Sequence, residues 1–127
     1  MQVLDLVKEF LSSEGYRYEI DKDGDIHFKY QGLNLYCTCN GNDDQFFRII
    51  VPGIYKVEGN RVKVLEAANE ITKEMKVLKA FLVDDVLWLS IEMFLDSTPD
   101  VSDFFERCLN ILYKGYTMSA DKILGNR

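Results

Sequence analysis

The chain is poor in the residues on which most protein chemistry depends. Its 127 residues include one histidine, so Ser–His–acid or Cys–His catalysis would have to be built on His27. It has three cysteines, an odd number too sparse for a disulfide scaffold, which points to a reducing, cytoplasmic location. No segment approaches the ~20 consecutive apolar residues that span a bilayer. The opening "MQVLDLVKEFLSSEGY" is interrupted by Asp5, Lys8 and Glu9, so it reads as an amphipathic helix and not as a secretion signal. Phosphate-cradling Gly-Lys-Ser/Thr loops and dinucleotide fingerprints are missing. Positive charge is also short. The 15 basic residues are scattered among 21 acidic ones for a net charge of −6, leaving no basic stripe for a nucleic-acid backbone or an anionic membrane. These absences predict a non-enzymatic protein with no cofactor, no nucleic-acid partner and no membrane partner.

What remains is a well-stocked core. Apolar residues make up 47% of the chain and aromatics 13%, enough for one compact domain over residues 1–127. Val3, Leu6, Val7, Phe10 and Leu11 recur at helical spacing until Glu14-Gly15. Tyr16, Tyr18 and Ile20 then alternate with charged residues, as do Ile26, Phe28 and Tyr30 beyond a turn. "QFFRIIV" predicts a strand ending at Pro52-Gly53, with Ile54 to Val57 as a ragged continuation. Val64, Ala68, Ile71 and Met75 mark a helix over Arg61–Glu74. Two apolar strands, Val77–Val83 and Val86–Phe94, meet at Asp84-Asp85. Thr98 is the expected N-cap of a last helix and Pro99 its first residue, with Asp100 and Asp103 near its positive end. Its apolar repeat runs from Val101 to Ile123, with a bend allowed at Gly115. The order α-β-β-β-β-α-β-β-α, with short links between strands, predicts an α+β fold: an antiparallel sheet with helices packed on it.

Side-chain parity orients the strands. Ile20 and Ile26 face the same side if Lys22-Asp23-Gly24 is a three-residue loop with Gly24 in the left-handed position. Gln31-Gly32 then pairs Tyr30 with Leu33 and Phe28 with Leu35, and turns Leu33, Leu35, Cys37 and Cys39 inward. Across the Asp84-Asp85 turn, Leu78, Ala80 and Leu82 share that side with Leu87, Leu89, Ile91 and Met93. The opposite face still receives Phe81, Val83, Val86 and Trp88, joined through the earlier hairpins by Tyr36, Phe46 and Ile50. So apolar a face is either covered by the second helix or a second copy of the chain, or it binds a partner protein. These seven residues are the candidate partner-binding site.

Three other stretches invite chemistry. "EIDKDGDIHFKY" spaces Glu19, Asp21 and Asp23 like a calcium loop, but Tyr30 stands where the bidentate Glu belongs and the flanks alternate like strands. It reads as a hairpin turn, with a metal- or small-ligand-sensing role as the alternative. Cys37-x-Cys39 needs two more ligands to hold zinc, and of Cys108 and His27 the latter falls on the opposite sheet face, so these thiols read as core. Asp43-Asp44 and Asp84-Asp85 read as turn residues.

The element order, the "DKDG" hairpin, "AANEITKEM" ahead of paired apolar strands, and "STPDVSDFFERCLNIL" together resemble the bacterial YbjN-like family over about residues 3–125, with Asn69 the main polar marker. That family is linked to sensory-transduction regulation and has the fold of type III secretion chaperones. The resemblance implies a small acidic cytoplasmic protein, a homodimer, whose apolar patches hold an extended segment of a client protein. It implies no catalytic residues.

Overall fold

The structure, a computed structural model, describes residues 3–38, 43, 45–97 and 99–125. The chain runs α1 (Val3–Ser13), β1 (Tyr18–Ile20), β2 (Ile26–Tyr30), β3 (Leu33–Cys37), β4 (Phe46–Lys56), α2 (Arg61–Glu74), β5 (Leu78–Val83), β6 (Val86–Phe94) and α3 (Phe105–Leu124). The six strands form one antiparallel sheet in the order β1-β2-β3-β4-β6-β5. This is the α+β architecture that the alternation predicts.

Three tight turns hold the register. At Lys22-Asp23-Gly24, Gly24 sits at φ +88° and the Asp21 N–H donates to the Asp25 carbonyl at 2.9 Å, which sets Ile20 opposite Ile26. Gln31-Gly32 and Asp84-Asp85 are two-residue turns with both residues at positive φ, the mirror-image geometry that matches strand twist. They pair Tyr30 with Leu33 and Val83 with Val86. Parity therefore holds across the sheet. Ile20, however, is 47% exposed whereas Ile26 is fully buried, because β1 is a three-residue edge strand at the margin of the core.

All three helices pack on one face. Val3, Val7 and Leu11 of α1 and Phe105, Leu109 and Leu112 of α3 share a core with Ile26, Phe28, Leu35, Ile49, Leu89 and Ile91. Val64, Ala67 and Ala68 of α2 pack with Leu87 and with Ile123 of α3, beside Ala80 and Leu82. Every one of these strand residues has the inward parity.

Several boundaries differ from the sequence reading. β4 continues through Pro52-Gly53 as far as Lys56, and the strain is taken up by a register shift between Val51 and Tyr55, the kind of irregularity at which proline is tolerated. Val77 precedes β5 and turns the corner at φ +55°. Pro99 does not open the last helix. A single 3-10 turn, Val101–Asp103, comes first, and α3 begins at Phe105 with Glu106, rather than Asp100, in its first turn. The apolar spacing ran unbroken because Val101 and Phe105 are both buried, on either side of the break. Thr98, Cys39 and Asp44 lie outside the described residues.

α3 runs without interruption through Gly115, where the helix backbone comes close to the side chains of β5 and β6. A Cβ there would meet Leu78 Cδ2 at 2.5 Å and Leu89 Cδ1 at 3.4 Å, and both leucines are buried. Alanine ordinarily stabilises a helix interior by roughly 1 kcal/mol over glycine, but overpacking a filled core costs about 1–3 kcal/mol. Gly115→Ala is therefore expected to lower stability in urea denaturation. In a Leu78→Ala background the same substitution should become neutral or stabilising. A stabilising effect in the wild-type background would contradict the close approach.

Candidate functional site

The outward-facing side chains form the surface on which the candidate site residues meet. The register places Glu19, His27, Tyr36, Ile50, Ser90 and Lys79 in one row across all six strands. Arg48 and Glu92 pair one step along, followed by Phe46 and Phe94. On the other side of the row lie the pairs Phe81–Trp88 and Val83–Val86. All seven predicted residues thus share one face, and the second helix does not cover it. Among the described residues every helix packs on the opposite side.

The apolar groups are not continuous. At one end Phe46 and Phe94 meet edge to face at 5.8 Å, and Phe94 is 81% exposed, the most exposed large apolar side chain described. At the other end Phe81 and Trp88 lie 6.3 Å apart, beside Val83 and Val86. Tyr36 and Ile50 fill the middle: Tyr36 stacks on the His27 ring at 4.7 Å, and Ile50 is buried between its neighbours.

Between the aromatic pairs runs a charged strip that sequence reasoning missed. Glu92 accepts from Lys79 Nζ at 3.1 Å through Oε1 and from Ser90 Oγ at 3.1 Å through Oε2, and its Oε2 lies 3.5 Å from Arg48 Nε. Lys79 Nζ also lies 5.7 Å from the centroid of the Phe81 ring. Phe94 was within reach of the same parity argument that found Trp88. The Arg48–Glu92–Lys79 grouping was not, because it depends on β4 pairing with β6, two strands far apart in the chain.

The sheet edges differ. Along β5, the Ala80 N–H donates to Thr72 Oγ1 of α2 at 3.0 Å, so a helix side chain occupies that edge. β1 is the other edge. Its alternation with the Asp21–Asp25 hydrogen bond turns the backbone groups of Tyr18 and Ile20 outward.

The remaining candidates take structural partners. Asp21 Oδ1 accepts the N–H groups of Asp23 at 2.9 Å and Asp25 at 3.0 Å, closing the hairpin. The carboxylates of Asp21, Asp23 and Asp25 fall within 4.8 Å of one another, while Glu19 instead lies 3.7 Å from His27 Nδ1. The Tyr30 hydroxyl donates to Asn110 Oδ1 of α3 at 2.7 Å, far from any loop ligand set. His27 Nε2 contacts Asn34 Oδ1 at 2.9 Å on the outer face, away from Cys37. Cys37 and Cys108 are both buried with free thiols in the helix-facing core.

Comparison with known proteins follows the same lines. A family model described as TY-Chap1, T3SS (YopN, CesT) and YbjN peptide-binding chaperone 1, matches residues 1–103. An uncharacterized protein from Methanothermobacter thermautotrophicus is similar in structure with a TM-score of 0.68 at 13% identity, over 94% of this chain and 95% of that one. YbjN from E. coli is similar with a TM-score of 0.66 at 16% identity, over 93% and 90%. The Yersinia pestis type III secretion chaperone SycH, in complex with a stable fragment of YscM2, gives 0.57 at 15% identity over 90% and 97%. At such identities the likeness is one of fold. No curated protein sequence matches the chain.

The buried thiols have a measurable consequence. Burial pushes Cys108 up to about 11, and pushes Cys37 further still, above the ordinary 9.0. An unfolded thiol ionises near 9, so above that pH the unfolded state binds fewer protons than the native state and stability falls as pH rises. Cys108→Ala should flatten the decline between about pH 9 and 11 by at most about 1.4 kcal/mol per pH unit. Urea midpoints measured across that range check this, and an unchanged slope would show the thiol to be solvated.

Proposed function

The chain belongs to the family of T3SS (YopN, CesT) and YbjN peptide-binding chaperones, and we propose that it holds an apolar, extended segment of a partner protein against its outer sheet face without catalysing a reaction. The observation that carries this reading is the one-sided packing. Three helices fill one face of the sheet, leaving Tyr36, Phe46, Ile50, Phe81, Val83, Val86 and Trp88 on the other. An aromatic face of this kind gains by removing its apolar area from water against a partner. The short β1 edge beside it offers backbone groups to an extended chain.

The same reading treats residues 1–127 as one domain, a cytoplasmic homodimer that engages neither nucleic acid nor membrane. No helix among the described residues is long and apolar enough to cross a bilayer. Val62 and Leu65 on the outer side of α2 are exposed, 69% and 44%, and are available to a second copy. The acidic hairpin serves as a turn in this reading, since the Asp21 carboxylate already holds two backbone N–H groups.

Phe81→Gln/Trp88→Gln is expected to abolish capture of partner segments while circular dichroism and the urea midpoint stay near wild type, because neither side chain reaches the helix-facing core. A double variant that unfolds would assign these rings to the core and remove the surface reading. Calorimetric titration with calcium should give no binding heat at millimolar ion. Saturable binding lost on Asp21→Asn would favour the sensing role instead.

A further inference from the structure

At the centre of the outer face the local charge is opposite to that of the whole protein. At its centre one carboxylate, Glu92, is shared between two cations, Arg48 at 3.5 Å and Lys79 at 3.1 Å, so the grouping keeps one positive charge in surplus. No second carboxylate joins it among the described strand residues. The other outward acids of the β1–β2 hairpin, Glu19 beside His27 and the Asp21–Asp25 pair at the turn, lie toward the opposite edge of the sheet. Lys56 and Lys29, also outward by register, add positive charge on either side. Glu92 and Arg48 of the grouping are partly buried. Glu92 is 24% exposed and Arg48 33%, while Lys79, 55% exposed, lies 5.7 Å from the Phe81 ring centroid. The grouping lies between the two aromatic pairs, with Glu92 two residues from Phe94 and four from Trp88 along β6.

We infer that the segment held on this face is acidic as well as apolar, placing a carboxylate at Arg48 and Lys79 between two large apolar side chains that lie on the Phe46–Phe94 and Phe81–Trp88 pairs. The inference rests on the outer-face reading above and adds the chemistry of the partner. Phe94 and Trp88 are six residues apart on one strand, about 20 Å. An extended segment lying along β6 would span them with apolar residues about six apart and its acid between them, since alternate side chains share a face. Its carboxylate would give the surplus cation a partner in a site already part desolvated, where a charge-assisted hydrogen bond is stronger than in open water. The net charge of −6 predicts the reverse preference at long range. At physiological ionic strength, however, charges beyond about 8 Å are largely screened and the local grouping decides.

Three fluorescein-labelled peptides of about twelve residues, two apolar anchors six apart, and Glu, Ser or Lys between them, test this by anisotropy at 0.15 M salt. The Glu peptide should bind the full chain roughly tenfold more tightly than the Lys peptide, with Ser between. Lys79→Glu should reverse that order, and Lys79→Gln should compress it, with urea midpoints confirming the fold of both variants. Equal binding of all three peptides, lost in Phe81→Gln/Trp88→Gln, would sink the charge inference and leave the outer-face reading standing. Binding of none, up to millimolar protein, would sink both. Displacement of the Glu peptide by a single-stranded oligouridylate, or by self-association that Trp88→Gln abolishes, would give the face to another occupant and overturn the inference.

Discussion

Strict alternation of side chains across a single antiparallel sheet is the constraint on which the rest of this protein depends. A tight turn transmits the phase of one strand to the next without loss, because its residue number determines which side chains end up opposite one another. The three turns here carry that phase from Ile20 through Ile26 to Leu35 and from Leu82 to Leu87. Pairing of β4 with both β3 and β6 then joins the two hairpin systems into one surface. A slip of one residue in any turn would turn the buried side chains of the following strand outward. The positive φ angles at Gly24, Gln31, Gly32, Asp84 and Asp85 are where the backbone meets that requirement.

One-sided helix packing follows from the same alternation. The inward set of Ile, Leu, Val and Phe is large enough to engage α1, α2 and α3 together, and Gly115 lets α3 settle on Leu78 and Leu89. With all helices spent on one face, the other is left with side chains that half bury each other. The outcome is a face of two aromatic pairs with a charged strip between them. Of its polar groups, Lys79, Glu92 and Ser90 hydrogen-bond to one another and Arg48 Nε lies 3.5 Å from Glu92.

The family and the structural neighbours agree with this architecture at the level of fold, across sequences only 13–16% identical. That divergence has a physical basis. A sheet with helices on one side needs the period and the turns, and tolerates wide variation in which apolar residue fills each position.

Local features were legible in the linear chain because local physics determines them. The Lys22-Asp23-Gly24 and Asp84-Asp85 turns, the bounds of α2, and the shared parity of Phe81, Val83, Val86 and Trp88 across their hairpin all follow from period and turn length, and β4 pairing with β3 and β6 brings Tyr36, Phe46 and Ile50 onto the same face. Other features rest on contacts between residues far apart in sequence. The pairing of β4 with β6 rather than β5, the placing of α2 on the inner face, the 3-10 turn hidden within an unbroken apolar spacing, and the close approach at Gly115 are of this kind. So is the meeting of Arg48, Glu92 and Lys79. Periodicity says which way a side chain points, but only the packed structure decides what it meets there, because that depends on which strands pair and which face the helices fill.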